Sequence, residues 1–320
     1  MKEYALGADL GGTNIKFVII DDKGKEIDYV KRSTEAKKGR QAILDNLLSG
    51  INDLLSRNKG IRIKGIGIGS PGLINKAGTV VTGAGNLPGW NGTKAGEYIK
   101  KKMKMPVFVD NDVTALALGE ALFGAGKGYR YVLCVALGTG LGGGIIVDRR
   151  VYRGAHRYAA EFGHMVVNPD GAACTCGKRG CLESYVSAWG LKRLAEIYLK
   201  DNKESLILKM TDNQIENINP EIIFRAYEKG DRVARQVLNE MGHYLGIGFS
   251  ILINIFDPDV IVVAGGISGD YEHIVKLVEK SMYDHTLPFY KNIKIKTSRF
   301  KYKAGAIGSA SLVFEQRSSQ

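Results

Sequence analysis

Cysteine, proline and tryptophan are scarce in this chain: 4, 7 and 2 of 320 residues. Four cysteines are too few for a disulfide scaffold, so a buried core must hold the fold. Nor does any Pro/Ser-rich linker punctuate the sequence. No run of about 18 apolar residues occurs, which excludes a membrane-spanning helix. Lys2 is followed at once by Glu3, and Asp9 breaks the next apolar run, so no signal peptide is expected. Five consecutive Lys or Arg residues are also missing. The net charge of +12 is diffuse apart from the stretch Lys291 to Lys303, and reads as a solvated basic face rather than a nucleic-acid or membrane surface. What remains is an ordinary globular composition, 44% hydrophobic and 24% charged, which excludes wholesale disorder. The length suits about two domains. A soluble cytoplasmic protein is expected.

Glycine, by contrast, is abundant at 41 residues and marks turns between apolar runs. Tyr4 to Leu10 and Ile15 to Ile20 read as strands flanking the turn Gly11-Gly12-Thr13, with a third strand near Glu26 to Lys31. Ile43, Leu44, Leu47, Leu48, Ile51, Leu54 and Leu55 recur at spacings of three and four, the signature of an amphipathic helix. Strands at Ile63 to Ile68 and Pro106 to Val109 alternate with helices at Lys94 to Lys102 and Val113 to Phe123. This alternation predicts an α/β layer fold. Farther on, Leu191 to Leu199 and Ile222 to Leu238 read as amphipathic helices and Tyr244 to Phe256 as a buried helix. Val260 to Ala264 and Lys291 to Ser298 read as strands, with a helix from about Tyr271 between them and a small-residue helix at Ala304 to Phe314 closing the chain. The N-terminal hairpin also has an echo 127 residues later: Tyr4, Leu6, Leu10, Gly11, Ile19 and Asp21 match Tyr131, Leu133, Leu137, Gly138, Ile146 and Asp148. Two related lobes facing one another across a cleft are expected. Asp9 in the first copy corresponds to Ala136 in the second, so similar shapes would carry unequal chemistry.

Glycine turns that follow buried strands offer unhindered N–H groups to phosphate oxygens. Gly11-Gly12-Thr13, with Lys16 nearby, and Gly138-Thr139-Gly140 both have this form, and their matching positions favour phosphate binding over plain hairpins. A Walker-type loop is excluded because Gly126-Lys127 is followed by Gly128. Gly138-x-Gly140-x-x-Gly143 spells the dinucleotide fingerprint but leads into a strand, not a helix. His164, Cys174, Cys176 and Cys181 form a Cys3His set, the shell of a closed structural zinc site, with Gly177 and Gly180 allowing the loop to turn tightly. Cys134 lies in an apolar strand and reads as core. Asn111-Asp112 follows a strand and precedes a helix. The residues alone leave Asp112 equally suited to be a general base at a strand end or a helix N-cap.

Taken together these motifs resemble the ROK family, which contains repressors and sugar kinases. Asp9-Leu-Gly-Gly-Thr-Asn-Ile-Lys16 resembles its first phosphate motif, Leu137 to Gly144 the second, and Gly265-Gly266 the adenosine motif. Glu161-Phe-Gly-His164 with Cys174-x-Cys176 to Cys181-Leu-Glu183 resembles its sugar-and-zinc signature. The resemblance implies a two-lobed, actin-like (ribonuclease H-like) ATPase fold with a cleft between lobes. Its smaller lobe would be residues 1–113 plus 303–320, and its larger lobe 114–302 with the zinc loop. It makes Asp112 the catalytic base, and Gly72, Asn86, Asn111, Asp112, Glu161, His164 and Glu183 the sugar-binding residues. It assigns Asp9 to Mg2+, and Gly11, Gly12, Thr13, Lys16, Gly138, Thr139, Gly140, Gly265 and Gly266 to ATP. His164 would both bind structural Zn2+ and face the sugar. Asn86-Leu-Pro-Gly-Trp90-Asn91 resembles the glucokinase branch. The expected activity is therefore ATP-dependent phosphorylation of the glucose 6-hydroxyl in glycolysis by a homodimer. Fructose, mannose, N-acetylglucosamine and N-acetylmannosamine kinases are the alternatives. A DNA-binding, sugar-responsive repressor is the competing class, disfavoured because the first phosphate motif begins at residue 9, without space for a recognition helix before it.

Overall fold

The computed structural model of the chain describes residues 2–85 and 87–315. In chain order the first elements are β1 (Tyr4–Leu10), β2 (Asn14–Asp21), β3 (Glu26–Ser33), α1 (Arg40–Arg57), β4 (Ile63–Ser70), β5 (Leu73–Ile74), β6 (Val80–Thr82), α2 (Ala95–Met103), β7 (Val107–Asn111) and α3 (Asp112–Phe123). Next come β8 (Tyr131–Leu137), β9 (Leu141–Val147), β10 (Arg150–Val151), α4 (Glu183–Val186), α5 (Ala188–Leu199), α6 (Leu206–Met210), α7 (Pro220–Glu228), α8 (Arg232–Phe256), β11 (Val260–Ala264), α9 (Val275–His285), β12 (Lys294–Thr297) and α10 (Ala304–Glu315). Among the described residues no helix is long and apolar enough to cross a membrane.

Two five-stranded sheets share one strand order. The first runs β3-β2-β1-β4-β7 and the second β10-β9-β8-β11-β12. The sequence echo is thus a structural one: β1 and β8 hold equivalent places, each next to the strand that follows its glycine turn. In the first sheet β1 is antiparallel to β2, with Asp9 opposite Lys16, and parallel to β4, with Asp9 beside Gly69. β4 in turn is parallel to β7, pairing Ser70 with Asn111. Register therefore brings Asp9 on β1 and the Asn111-Asp112 junction after β7 to the carboxyl ends of the two parallel strands that flank β4.

The chain divides into two compact units: Met1–Cys134 with Gly144–Ala160 and Ser298–Gln320, and Val135–Gly143 with Glu161–Thr297. The expected partition placed residues 114–134, 144–160 and 298–302 in the second unit, whereas they group with the first. Helix α3 lies directly against α10, where a Cβ added at Gly119 would stand 2.7 Å from the Gly308 Cα. The expected helix over Ile222 to Leu238 is also two helices. Gly230 at φ 82° ends α7, and Asp231 restarts the chain as the N-cap of α8, accepting from the Ala234 N–H at 2.8 Å. Its other oxygen holds the Ser205 hydroxyl and the Leu206 N–H at 3.0 and 2.7 Å, so a partner 26 residues away fixes the break. From there α8 runs unbroken through the segment Tyr244 to Phe256.

In the first unit α1 buries Ile43, Leu44, Leu47, Ile51 and Leu54, each worth about 1.5–3 kcal/mol of transfer free energy. Helix α10 sits closer to the sheet than ordinary side chains allow. A Cβ at Gly7 would stand 2.1 Å from the Ala306 carbonyl oxygen, and one at Gly67 only 1.7 Å from that of Ser309. Gly67→Ala should therefore force α10 off the sheet and cost about 3 kcal/mol or more. Gly60→Ala, where a Cβ meets nothing within 4 Å, should change stability by less than about 0.5 kcal/mol. Urea unfolding midpoints of the two variants check the contrast.

Candidate functional site

In the first unit the Gly11-Gly12-Thr13 turn joins β1 to β2. The Gly11 N–H donates to the Asn14 carbonyl at 3.1 Å. Thr34 braces the turn from outside: its hydroxyl donates to the Gly11 carbonyl at 2.6 Å, and its N–H donates to the Thr13 carbonyl at 2.9 Å. Asp9 precedes the turn with 16% of its side chain exposed, and Lys16 Nζ lies 3.7 Å from its Oδ2. Burial raises the Asp9 pKa, and the Lys16 ammonium only partly offsets it. Such an under-compensated carboxylate beside a glycine turn is a fitting ligand for a hard cation.

At the Asn111-Asp112 junction the N-cap is Asn111, not Asp112. Asn111 is the N-cap of α3, its side-chain oxygen accepting from the Val113 and Thr114 N–H groups at 3.0 and 3.1 Å. Its Nδ2 donates to the Gly72 carbonyl at 3.2 Å. Asp112 is the first residue of the helix and accepts from the Val113 N–H at 2.9 Å. Gly69 has no side chain to obstruct it; a Cβ there would lie 3.3 Å from the Asp112 Cα. Desolvation foremost, then the charge of Asp9, pushes the Asp112 pKa up to about 6, against the stabilising pull of the helix-start N–H groups.

The second unit carries a matching turn. The Gly138 N–H donates to the Gly140 carbonyl at 3.0 Å, and the Gly138 carbonyl accepts from the Ala188 N–H at 2.9 Å. Thr139 is exposed at its tip. The Leu141 N–H donates to Glu183 Oε2 at 2.8 Å, so the carboxylate at the start of α4 holds the turn. Gly265 ends β11 at φ 92°, and its Cβ would strike the Leu137 carbonyl; the Ile267 N–H donates to that same carbonyl at 3.1 Å. Both expected nucleotide motifs of this unit are therefore joined through Leu137.

Beyond the turn, the sugar-and-zinc signature folds into one cluster. His164 Nδ1 lies 3.9 Å from Cys174 Sγ, and Cys176 Sγ lies 3.7 Å from Cys181 Sγ. All four donor atoms fall within 4.8 Å of one another. The edge of a tetrahedral zinc–thiolate shell is about 3.8 Å, so this donor set fits zinc in number, type and spacing. A knuckle shapes it: the Cys174 N–H donates to the Lys178 carbonyl at 2.8 Å and the Gly177 N–H to the Cys174 carbonyl at 3.0 Å. Gly180 takes φ 74°, with no space for a Cβ beside the Asn168 carbonyl. The other face of the imidazole points away from the sulfurs, with Nε2 4.0 Å from Glu161 Oε2. Partial burial raises the Glu161 pKa, His164 lowers it, and the charge of Glu183 raises it again.

Asn86, expected at the sugar, lies outside the described residues. Sequence reasoning missed three features. Thr34 is invisible as a brace because it sits 23 residues from Gly11. Trp189 places Nε1 3.4 Å from Glu183 Oε1, and its rarity as one of 2 tryptophans was the only available signal. Behind β7, Asp110 accepts from Arg153 Nε at 2.7 Å and Arg157 Nη2 at 3.2 Å, while Arg153 Nη2 reaches Glu315 Oε2 at 2.6 Å. This largely buried network pins the strand that presents Asn111-Asp112, and no spacing in the sequence announces it.

Comparison with known proteins agrees with this geometry. A glucokinase of Thermotoga maritima is 31% identical over 97% of this chain and 97% of its own length. A xylose repressor of Caldicellulosiruptor bescii is 31% identical over 96% of this chain and 77% of the repressor. The crystal structure of a ROK family glucokinase from Streptomyces griseus in complex with glucose and AMPPNP has a TM-score of 0.83 at 32% identity, covering 97% of this chain and 98% of that one. The fold is the actin-like ATPase fold. The ROK family model matches residues 5–316, and with that match spanning both glycine turns, Asp112 and the His/Cys cluster, the chain belongs to the ROK family.

Proposed function

We propose that the chain is a glucokinase: it transfers the γ-phosphoryl group of ATP to the 6-hydroxyl of glucose. The hexokinase-type sugar kinase is the coarser statement, and likeness to the glucose- and AMPPNP-bound Streptomyces griseus enzyme and to the Thermotoga maritima glucokinase supports glucose and ATP as the substrates. Asp112 carries the reading. Asn111 supplies the N-cap, Asp112 Oδ1 accepts from the N–H of its own helix start, and a carboxyl with a pKa of about 6 is ionised at neutral pH yet basic enough to take a proton.

In this reading Asp112 accepts the proton of the 6-hydroxyl, whose oxygen forms the new bond to the γ-phosphorus as the bond to the ADP oxygen breaks. N–H groups of the Gly11-Gly12-Thr13 and Gly138-Thr139-Gly140 turns, with Lys16, hold the phosphates, and Gly265-Gly266 holds the adenosine. Asp9 would hold Mg2+, which when bound neutralises charge on the phosphates. Asn86, Asn111, Glu161, His164 and Glu183 bind sugar hydroxyls, with Gly72 beside them. Carboxylates and amides suit a neutral polyol, and an analogue lacking a hydroxyl leaves them unpaired. His164, Cys174, Cys176 and Cys181 would hold zinc, which cross-links the loop when bound. The reading extends to a cytoplasmic homodimer, which rests on the family resemblance.

Asp112→Asn should lose about 10²–10⁴-fold in turnover with the fold intact. In the wild type kcat/KM should fall as pH drops through about 6. The same group predicts a stability effect of defined sign. A carboxyl whose pKa rises from 3.8 to about 6 on folding binds its proton better when folded. Its contribution is thus most favourable at low pH and is lost as pH rises through that window. Above it the Asn variant should be more stable than the wild type, on the order of 1–3 kcal/mol, by urea unfolding. A variant with near-normal turnover removes Asp112 from the role. Cys176→Ala should abolish stoichiometric zinc by metal analysis and lower Tm by roughly 5 °C or more, together with sugar affinity. Coupled assays across glucose, mannose, fructose, N-acetylglucosamine and N-acetylmannosamine should rank glucose first by kcat/KM. Another first-ranked sugar overturns the specificity, and no turnover with any overturns the kinase.

A further inference from the structure

Glu183 divides its carboxylate between two tasks. Oε2 accepts from the backbone N–H of Leu141, 42 residues away, in a buried bond of 2.8 Å. Oε1 lies toward Trp189 Nε1 at 3.4 Å, and the charge of the same carboxylate is felt at Glu161. Each carboxylate oxygen can accept about two hydrogen bonds, so Oε2 can hold the backbone while Oε1 still accepts from a ligand. Here one oxygen is committed to the residue at which the Gly138-Thr139-Gly140 turn becomes β9. The fit leaves no slack, because a Cβ at Gly140 would stand 2.6 Å from Oε2. The turn's other fastening, the Ala188 N–H on the Gly138 carbonyl, comes from α5, immediately beyond α4. One short stretch of chain, Glu183 to Ala188, therefore holds the turn at both its ends.

The geometry points to Glu183 as the positioning residue of the second phosphate turn, through which an occupied sugar site tightens nucleotide binding. This rests on the sugar-kinase reading. Sugar hydroxyls that bond Oε1, beside its contact to Trp189, fix the carboxylate. The fixed carboxylate holds the Leu141 N–H, and the held turn keeps its remaining N–H groups arranged for phosphate. Without that acceptor the buried Leu141 N–H loses its partner, a cost that the turn escapes only by rearranging. Thermodynamic linkage makes the effect mutual: nucleotide must tighten sugar by the same factor.

The test is calorimetric titration of the full chain with MgADP, with and without saturating glucose. In the wild type, glucose should tighten MgADP about 5–20-fold. Glu183→Ala should weaken MgADP about 10-fold even without sugar, and abolish the tightening. Glu183→Gln retains a carbonyl acceptor for the Leu141 N–H and should bind MgADP without sugar within about 2-fold of the wild type. Gly60→Ala, where a Cβ meets nothing within 4 Å, should leave sugar-free MgADP affinity unchanged. Gly140→Ala keeps the carboxylate but displaces it, and should reproduce the MgADP loss. This variant decides the matter if Glu183→Ala does not fold. Normal sugar-free MgADP affinity in Glu183→Ala, with only glucose binding lost, makes Glu183 a plain sugar ligand and overturns the inference. An equal MgADP loss in Glu183→Gln or Gly60→Ala overturns it too. A wild type that binds neither glucose nor MgADP fails differently, sinking the kinase reading itself.

Discussion

The first unit depends on how closely α10 lies on its sheet and on α3. Backbone meets backbone there: Gly7 and Gly67 on the strands and Gly119 on α3 present no side chains to Ala306, Gly308, Ser309 and Ala310. Such contact leaves no freedom for the helix to slide. It also reaches the chemistry, because a Cβ on Gly305 would strike the Asp9 carboxylate at 2.4 Å and a Cβ on Gly69 would strike Ser309 Oγ at 2.7 Å. The small residues of the last helix thus set the depth at which Asp9 and Asp112 are held. That depth sets their desolvation, and desolvation is the leading cause of the raised pKa of each.

Carboxylates in this protein are held under mild electrostatic tension. Asp9 has one partial cation, Lys16, at 3.7 Å. Asp112 has backbone N–H groups but also the field of Asp9. Glu161 lies beside His164 and also feels the charge of Glu183. Each arrangement is improved by a donor or a cation from outside, which is what polyol hydroxyls and a metal-bound nucleotide bring. Asp110 is the contrast: paired with two arginines at 2.7 and 3.2 Å, its charge is fully answered, and its work is to hold a strand in place.

The two sheets show how one topology supports unequal chemistry. Both place a glycine turn after the buried central strand of the sheet. In one copy the strand ends in Asp9, and in the other the equivalent residue is Ala136, which is buried. The second turn therefore takes its carboxylate from elsewhere, from Glu183 at the start of α4, and receives it on a backbone N–H rather than presenting it to solvent.

Much of this was legible in the sequence. Apolar period located the longer strands and helices, because each buries one face, but it did not show the break at Gly230 or the short elements β5, β6, β10, α4 and α6. The echo between Tyr4 and Tyr131 announced the shared strand order. The Cys3His set announced its own cluster, since its ligands lie close in the chain and two glycines let it turn. Roles that depend on a partner far along the chain could not be read: Thr34 on Gly11, Asp231 on Ser205, Arg153 on Glu315, Glu183 on Leu141. The choice between cap and base for Asp112 was of the same kind. Sequence placed two polar residues at a strand–helix junction, and only the tertiary structure gave the capping bonds to Asn111 and a desolvated carboxyl to Asp112. Local pattern determines which element a residue joins, whereas the field and the partners at a side chain come from segments that folding alone brings within reach.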